Sequence, residues 1–99
     1  MGKTDKRLRA WRDNAPVDAP VDQVEAILVR YFPDGYRKKP GSHVTVHHNR
    51  LIGCEGFGPL GDFTICVNRG QRVKGFYLKL LAQAVYIIEE VRDDEHQES

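Results

Sequence analysis

Two stretches of the chain alternate polar and apolar residues with a period of two: His43-Val44-Thr45-Val46-His47-His48 and Asp62-Phe63-Thr64-Ile65-Cys66-Val67-Asn68. A pleated strand points successive side chains to opposite faces, so this alternation fits a sheet covered on one side and open on the other. Val44 and Val46 belong to one face, and His43, Thr45 and His47 to the other. Phe63, Ile65 and Val67 share one face of the second strand. The cover must come from helices. Val21, Val24, Leu28 and Tyr31, widened by Ile27, recur at helical spacing, and so do Leu78, Leu81, Ala82, Val85 and Ile88.

The boundaries follow from turn and cap chemistry. Asp18 as an N-cap, with Pro20 in the first turn, predicts a helix over residues 19–31. Pro33-Asp34-Gly35 is a turn, after which Tyr36-Arg37-Lys38-Lys39 extends as a first strand until Pro40-Gly41. Gly53 to Gly61 holds four glycines and Pro59 and reads as a long connector, whose tip residue Phe57 is expected to tuck back on the core, the alternatives being to stack on a base or seat a partner. Arg69-Gly70-Gln71 closes the third strand, and a helix runs from Phe76 to Val91. The order helix, strand, strand, strand, helix is an α+β fold (α-β-β-β-α): a three-stranded antiparallel sheet with helices on one face. Leu8 and Trp11 add an N-terminal helical arm. The organisation expected is therefore an arm and linker over 1–17, a domain over 18–91 and an acidic disordered tail over 92–99. A second apolar stripe, Leu80, Ala84, Ile87 and Val91, fits either a broad core face or a homodimer contact.

With 99 residues the chain can build one core. Its longest apolar stretch, Leu80 to Ile88, falls far short of the roughly 20 residues a bilayer span needs. No apolar run follows Met1-Gly2-Lys3-Thr4-Asp5, so no membrane association and a cytoplasmic location are expected. Cys54 and Cys66 are then expected to stay reduced.

The net charge of +1 hides an asymmetry. Residues 1–29 balance; residues 30–79 hold nine cations against three anions; from Leu80 onward six acids face Arg92 alone. A central excess of positive charge, clustered at Arg37-Lys38-Lys39 and from Arg69 to Lys74, attracts phosphates, although such runs also occur as plain solvated surface. His47 and His48, taken with His43 and the cysteines, raise a zinc reading. Adjacent histidines on a strand point to opposite faces, and there is no Cys-x-x-Cys or helical His-x-x-x-His pair, so no metal and no other cofactor is expected.

Gly35-Tyr36, then Lys39-Pro40-Gly41-Ser42-His43 opening a strand, Phe63 to Val67, and Arg72-Val73-Lys74-Gly75 before a helix starting Phe76-Tyr77-Leu78 together resemble the HicA family, across residues 21–90. The Gly-Ser-His step carries most of the likeness; the arm, the 53–61 loop and the acidic tail depart from the family pattern. The resemblance implies a fold similar to double-stranded RNA-binding domains. It also implies the activity of a toxin of a toxin-antitoxin pair, a metal-independent mRNA endonuclease silenced by a HicB-like antitoxin, with His43 catalytic.

Histidine suits such chemistry because its ordinary pKa, near 6.5, lets it take and give protons near neutrality. Arg37 and Lys39 would supply charge for a phosphorane, Lys39 and Lys74 would hold phosphate, Gly41 would give backbone access, Lys38, Ser42 and Arg72 would contact RNA, and His47 would either contact RNA or act as a second proton carrier. Cleavage without a metal needs His43; an RNA-binding or protein-interaction module on the same fold would not.

Overall fold

The structure, a computed structural model, describes the backbone of residues 3–39 and 42–98, with side chains from 6 to 89 within those spans. The chain runs α1 (Lys3–Asn14), β1 (Asp18–Pro20), α2 (Val21–Tyr31), β2 (Tyr36–Lys39), β3 (His43–His47), a 3-10 turn (Asn49–Leu51), β4 (Asp62–Asn68), β5 (Arg72–Lys74) and α3 (Gly75–Glu98). It is an α+β fold whose sheet has five strands, ordered β1-β5-β4-β3-β2, every neighbouring pair antiparallel.

Alternation works as the sequence requires. Val44, Val46, Phe63, Ile65 and Val73 are buried, and they join Val24, Ile27 and Leu28 of α2 and Leu78, Leu81, Ala82, Val85 and Ile88 of α3 in one cluster. His43, Thr64 and His47, on the alternate positions, are exposed. Thus one sheet face carries the core and the other is open. Phe32, only 1% exposed, caps α2 by donating its N–H to the Leu28 carbonyl at 2.8 Å and meets the Phe63 ring edge-on. Phe57 also meets Phe63 edge-on, at 5.5 Å between centroids, so the tip of the 53–61 connector does fold back on the core.

Three expectations are corrected. Asp18 does not cap a helix: residues 18–20 are extended and pair with β5 (Asp18 with Lys74, Ala19 with Val73, Pro20 with Arg72), and α2 begins at Val21 behind Pro20. Residues 69–71 close β4, but they do so as a hairpin turn that leads into a further strand, and the three-stranded sheet gains β5 and β1 at that side. Gly70 and Gln71 both adopt positive φ there, and the Gln71 N–H reaches the Asn68 carbonyl at 3.1 Å. Strands of three residues are too short to show a period, and Asp and Pro are poor strand formers; pairing partners far apart in sequence decided the matter.

The third correction concerns both ends. The arm is part of the core, with Leu8 and Trp11 at 7% and 4% exposure inside the common cluster and the Arg12 guanidinium 3.8 Å above the Tyr86 ring of α3. Its packing takes up much of the wide apolar surface of α3: Ala84 is buried, and Leu80 and Ile87 pack partly buried against the cluster. The segment read as a disordered tail is helical through Glu98, consistent with the good helix propensity of its Glu, Arg and Gln residues.

Two glycines hold the site's strands in place. Gly35 sits so close to the His47 carbonyl, whose N–H it receives at 2.7 Å, that a Cβ there would collide with backbone. Gly61 combines φ of +70° with an equally close approach to the His48 carbonyl, leaving room for no other residue.

Candidate functional site

The open face is built by strand register. The Val67 N–H donates to the Ser42 carbonyl at 2.8 Å, making 42 and 67 a hydrogen-bonded pair and His43 with Cys66 the next, non-hydrogen-bonded one. Cα atoms in such a pair approach to about 4.5 Å, which brings their side chains into contact. On the other side His43 pairs with Lys39, a hydrogen-bonded position by the same count from His47 and Gly35, about 5.5 Å away. Lys39, His43 and Cys66 therefore form one row across three strands.

A second row runs Arg37, Thr45, Thr64. A groove of about 310 Å³ lies over this part of the sheet, lined by Asp34, Tyr36, Arg37, Lys39, Thr45 and His47 among others. It combines two cations, an imidazole, two hydroxyls and one carboxylate, Asp34; the cations and the neutral donors suit phosphate oxygens. Ser42, exposed and at φ +70°, turns the chain into His43; a non-glycine residue in this region costs on the order of 1 kcal/mol, and the Val67 hydrogen bond holds it there.

The remaining residues singled out from the sequence divide. Lys38 lies opposite the buried Val44 and turns to the helix side, where it pairs with Glu25 of α2; the hydrogen bond to Glu25, then its charge, holds the ammonium above its usual pKa. Lys38 thus leaves the face of Arg37, but with Lys39, Ser42 and His43 it still lines a cavity of about 210 Å³ at this end of the strands. Arg72 is on the open face two strands from His43, but its Nε and Nη2 donate to Asp18 Oδ1 at 3.1 and 2.6 Å, tying β5 to β1. Lys74, beside Asp18 on the same face, is exposed. Gly41 lies outside the described residues.

The histidines differ in role. His43 and His47 share a face but stand four residues apart, about 13 Å along a strand, so they cannot serve one phosphodiester together. His48 turns inward, edge-on to Phe32 at 5.9 Å, and its Nδ1 accepts the Arg50 backbone N–H at 3.1 Å. Partial burial, then the charges of Arg50 and His47, lower its pKa below 6.5.

The sign follows directly. A histidine disfavoured as a cation in the fold contributes stability above pH 6.5 that is lost as pH falls through the lowered value. NMR titration is expected to find a His48 midpoint below 6.5, with the neutral form's proton on Nε2; a midpoint at or above 6.5 would contradict the partial burial of the ring and its cationic neighbours.

Two residues of the site went unseen in the sequence. Cys66 is half-buried beside His43, close to the Tyr77 hydroxyl of α3; interaction with Cys66, then burial, raises the Tyr77 pKa. Period two places Cys66 on the open face, but its pairing with His43 needs the register, and Tyr77 needs the tertiary fold. No disulfide joins Cys54 and Cys66; the Cys54 thiol instead donates to the Arg50 carbonyl at 3.5 Å. Among the described residues no group of three or more His, Cys, Asp or Glu side chains is placed to hold a metal ion, and no helix is long and apolar enough to cross a membrane.

Comparison with family models, curated proteins and solved structures finds no match. The site therefore rests on its own residues: an open sheet face bearing Arg37, Lys39 and His43, backed by Cys66 and Tyr77.

Proposed function

We propose that this chain is an RNA endonuclease of the HicA kind, on a fold similar to double-stranded RNA-binding domains. The observation that carries the reading is the placement of exposed His43 in one row with Lys39, next to the groove that holds Arg37. The reaction is transesterification. His43 takes the proton of a 2′-hydroxyl, the 2′-oxygen bonds to the adjacent phosphorus, and the 5′-oxygen leaves with a proton from water, giving a 2′,3′-cyclic phosphate and a 5′-hydroxyl. Lys39 and Arg37 neutralise the non-bridging oxygens as charge builds there. Ser42 and His47 hold neighbouring phosphates, and Lys74 extends the cationic surface toward β5. Lys38 and Arg72, already paired with carboxylates, contribute less than the sequence suggests. A HicB-like antitoxin covering this face in the cytoplasm completes the proposal.

A second reading keeps the RNA and removes the chemistry. Among the described residues the His43 imidazole has no hydrogen-bond partner to orient it, as a purely binding residue would not need. Purified protein incubated with mixed mRNA in EDTA near pH 7 separates the two. Fragments ending in cyclic phosphate are expected; retained binding without fragments would leave the binding module.

A further inference from the structure

The row that starts at Lys39 and His43 does not stop at Cys66. The Tyr77 hydroxyl lies near Cys66, and the Tyr77 ring meets the Phe76 ring edge-on with centroids 5.3 Å apart. Phe76 opens α3 and is 73% exposed, the kind of position a core aromatic does not occupy. Exposed Lys74 precedes it and exposed Lys79 follows one turn on. An apolar protein partner seated on Phe76 would have to desolvate these ammonium groups, whereas a nucleic-acid strand neutralises them while laying a base on the ring.

We propose that Phe76 is a stacking platform for an unpaired base of the strand whose phosphate lies at Lys39 and His43, so that the substrate is single-stranded RNA. The inference rests on the RNA reading above and specifies it. In a duplex both faces of each base are covered by its neighbours, and no face is free for Phe76. An extended strand crossing from β2 to the start of α3 passes the cations, the imidazole and then the aromatic ring in that order. Because Phe76 is mostly exposed, replacing it leaves the core untouched.

The test is fluorescence anisotropy with a labelled 2′-fluoro RNA oligonucleotide, which lacks the hydroxyl needed for cleavage, as single strand and as duplex. Phe76→Ala is expected to weaken single-strand binding about 5- to 100-fold, the effect of losing one stacked base, while Phe76→Trp restores it and duplex binding is unchanged. Equal single-strand affinity of Phe76→Ala and the wild type overturns the platform, as does an equal loss on strand and duplex. So does unchanged RNA affinity with loss of self-association in sedimentation, which would make Phe76 a protein contact. If the wild type binds neither RNA, the platform and the RNA reading both fall. Phe76-dependent binding without cleavage of ordinary RNA removes the endonuclease step and keeps the platform.

Discussion

Replacing His43 with alanine is expected, under the endonuclease proposal, to lower RNA cleavage by about 10²- to 10⁴-fold, the usual contribution of a placed proton-transfer group, with RNA affinity changed by no more than a few-fold. The side chain is exposed, so its loss opens no cavity, and its strand is held by register with Lys39 on one side and Cys66 on the other. The two readouts must be taken together. Lys39→Ala gives the contrast, because removing a phosphate-binding cation weakens binding and flattens its dependence on salt. Should the His43 variant cleave as fast as the wild type, the chemistry belongs to another group, and the row formed with Lys39 is a binding feature. His47→Ala is expected to behave as a binding variant, since its distance along β3 keeps it from the phosphate that His43 serves.

The second large effect is structural. Trp11→Ala removes an indole that is 4% exposed between α1 and the common core, and truncations of this kind cost roughly 3–5 kcal/mol. For a domain of this size each kcal/mol moves the midpoint of thermal unfolding by about 4–8 °C, so a fall of roughly 12–40 °C in circular-dichroism melting is expected. Total stabilities of small domains are themselves only about 5–15 kcal/mol, and the variant should be close to the limit of folding. Arg12→Ala is the matching surface change: it gives up a stack on the exposed Tyr86 ring, worth about 0.5–1 kcal/mol. A Trp11 variant that melts within 5 °C of the wild type, an effect of under about 1 kcal/mol, would show that α1 is an appendage after all.

Both results bear on what could be read without a structure. Period two over β3 and β4 and helical spacing over α2 and α3 come from side-chain geometry within single elements, so the α+β class, the buried faces and the exposure of His43 were legible from residue order. Local chemistry was less reliable where a distant partner could overrule it. Asp18 looked like a cap because its short carboxylate commonly caps helices, yet Arg72 and Lys74, some 54 positions on, draw it into an edge strand. Leu8 and Trp11 signalled a helix but not its place, since two apolar residues do not say which surface will bury them. Lys38 looked equivalent to Arg37 and Lys39 in a run of three cations; the pleat sends it to the other side, where Glu25 waits.

What the sequence by itself determined about this protein is the set of one-sided elements and which residues each presents to water, because alternation and helical periodicity are properties of a local backbone. What only the tertiary structure decided is adjacency: Lys39 and Cys66 on either side of His43, Tyr77 of α3 near Cys66, and Arg72 already held by Asp18. Adjacency across the sheet depends on register, register depends on pairings between segments far apart in the chain, and a shift of a single residue would have sent the strand side chains among these to the opposite face.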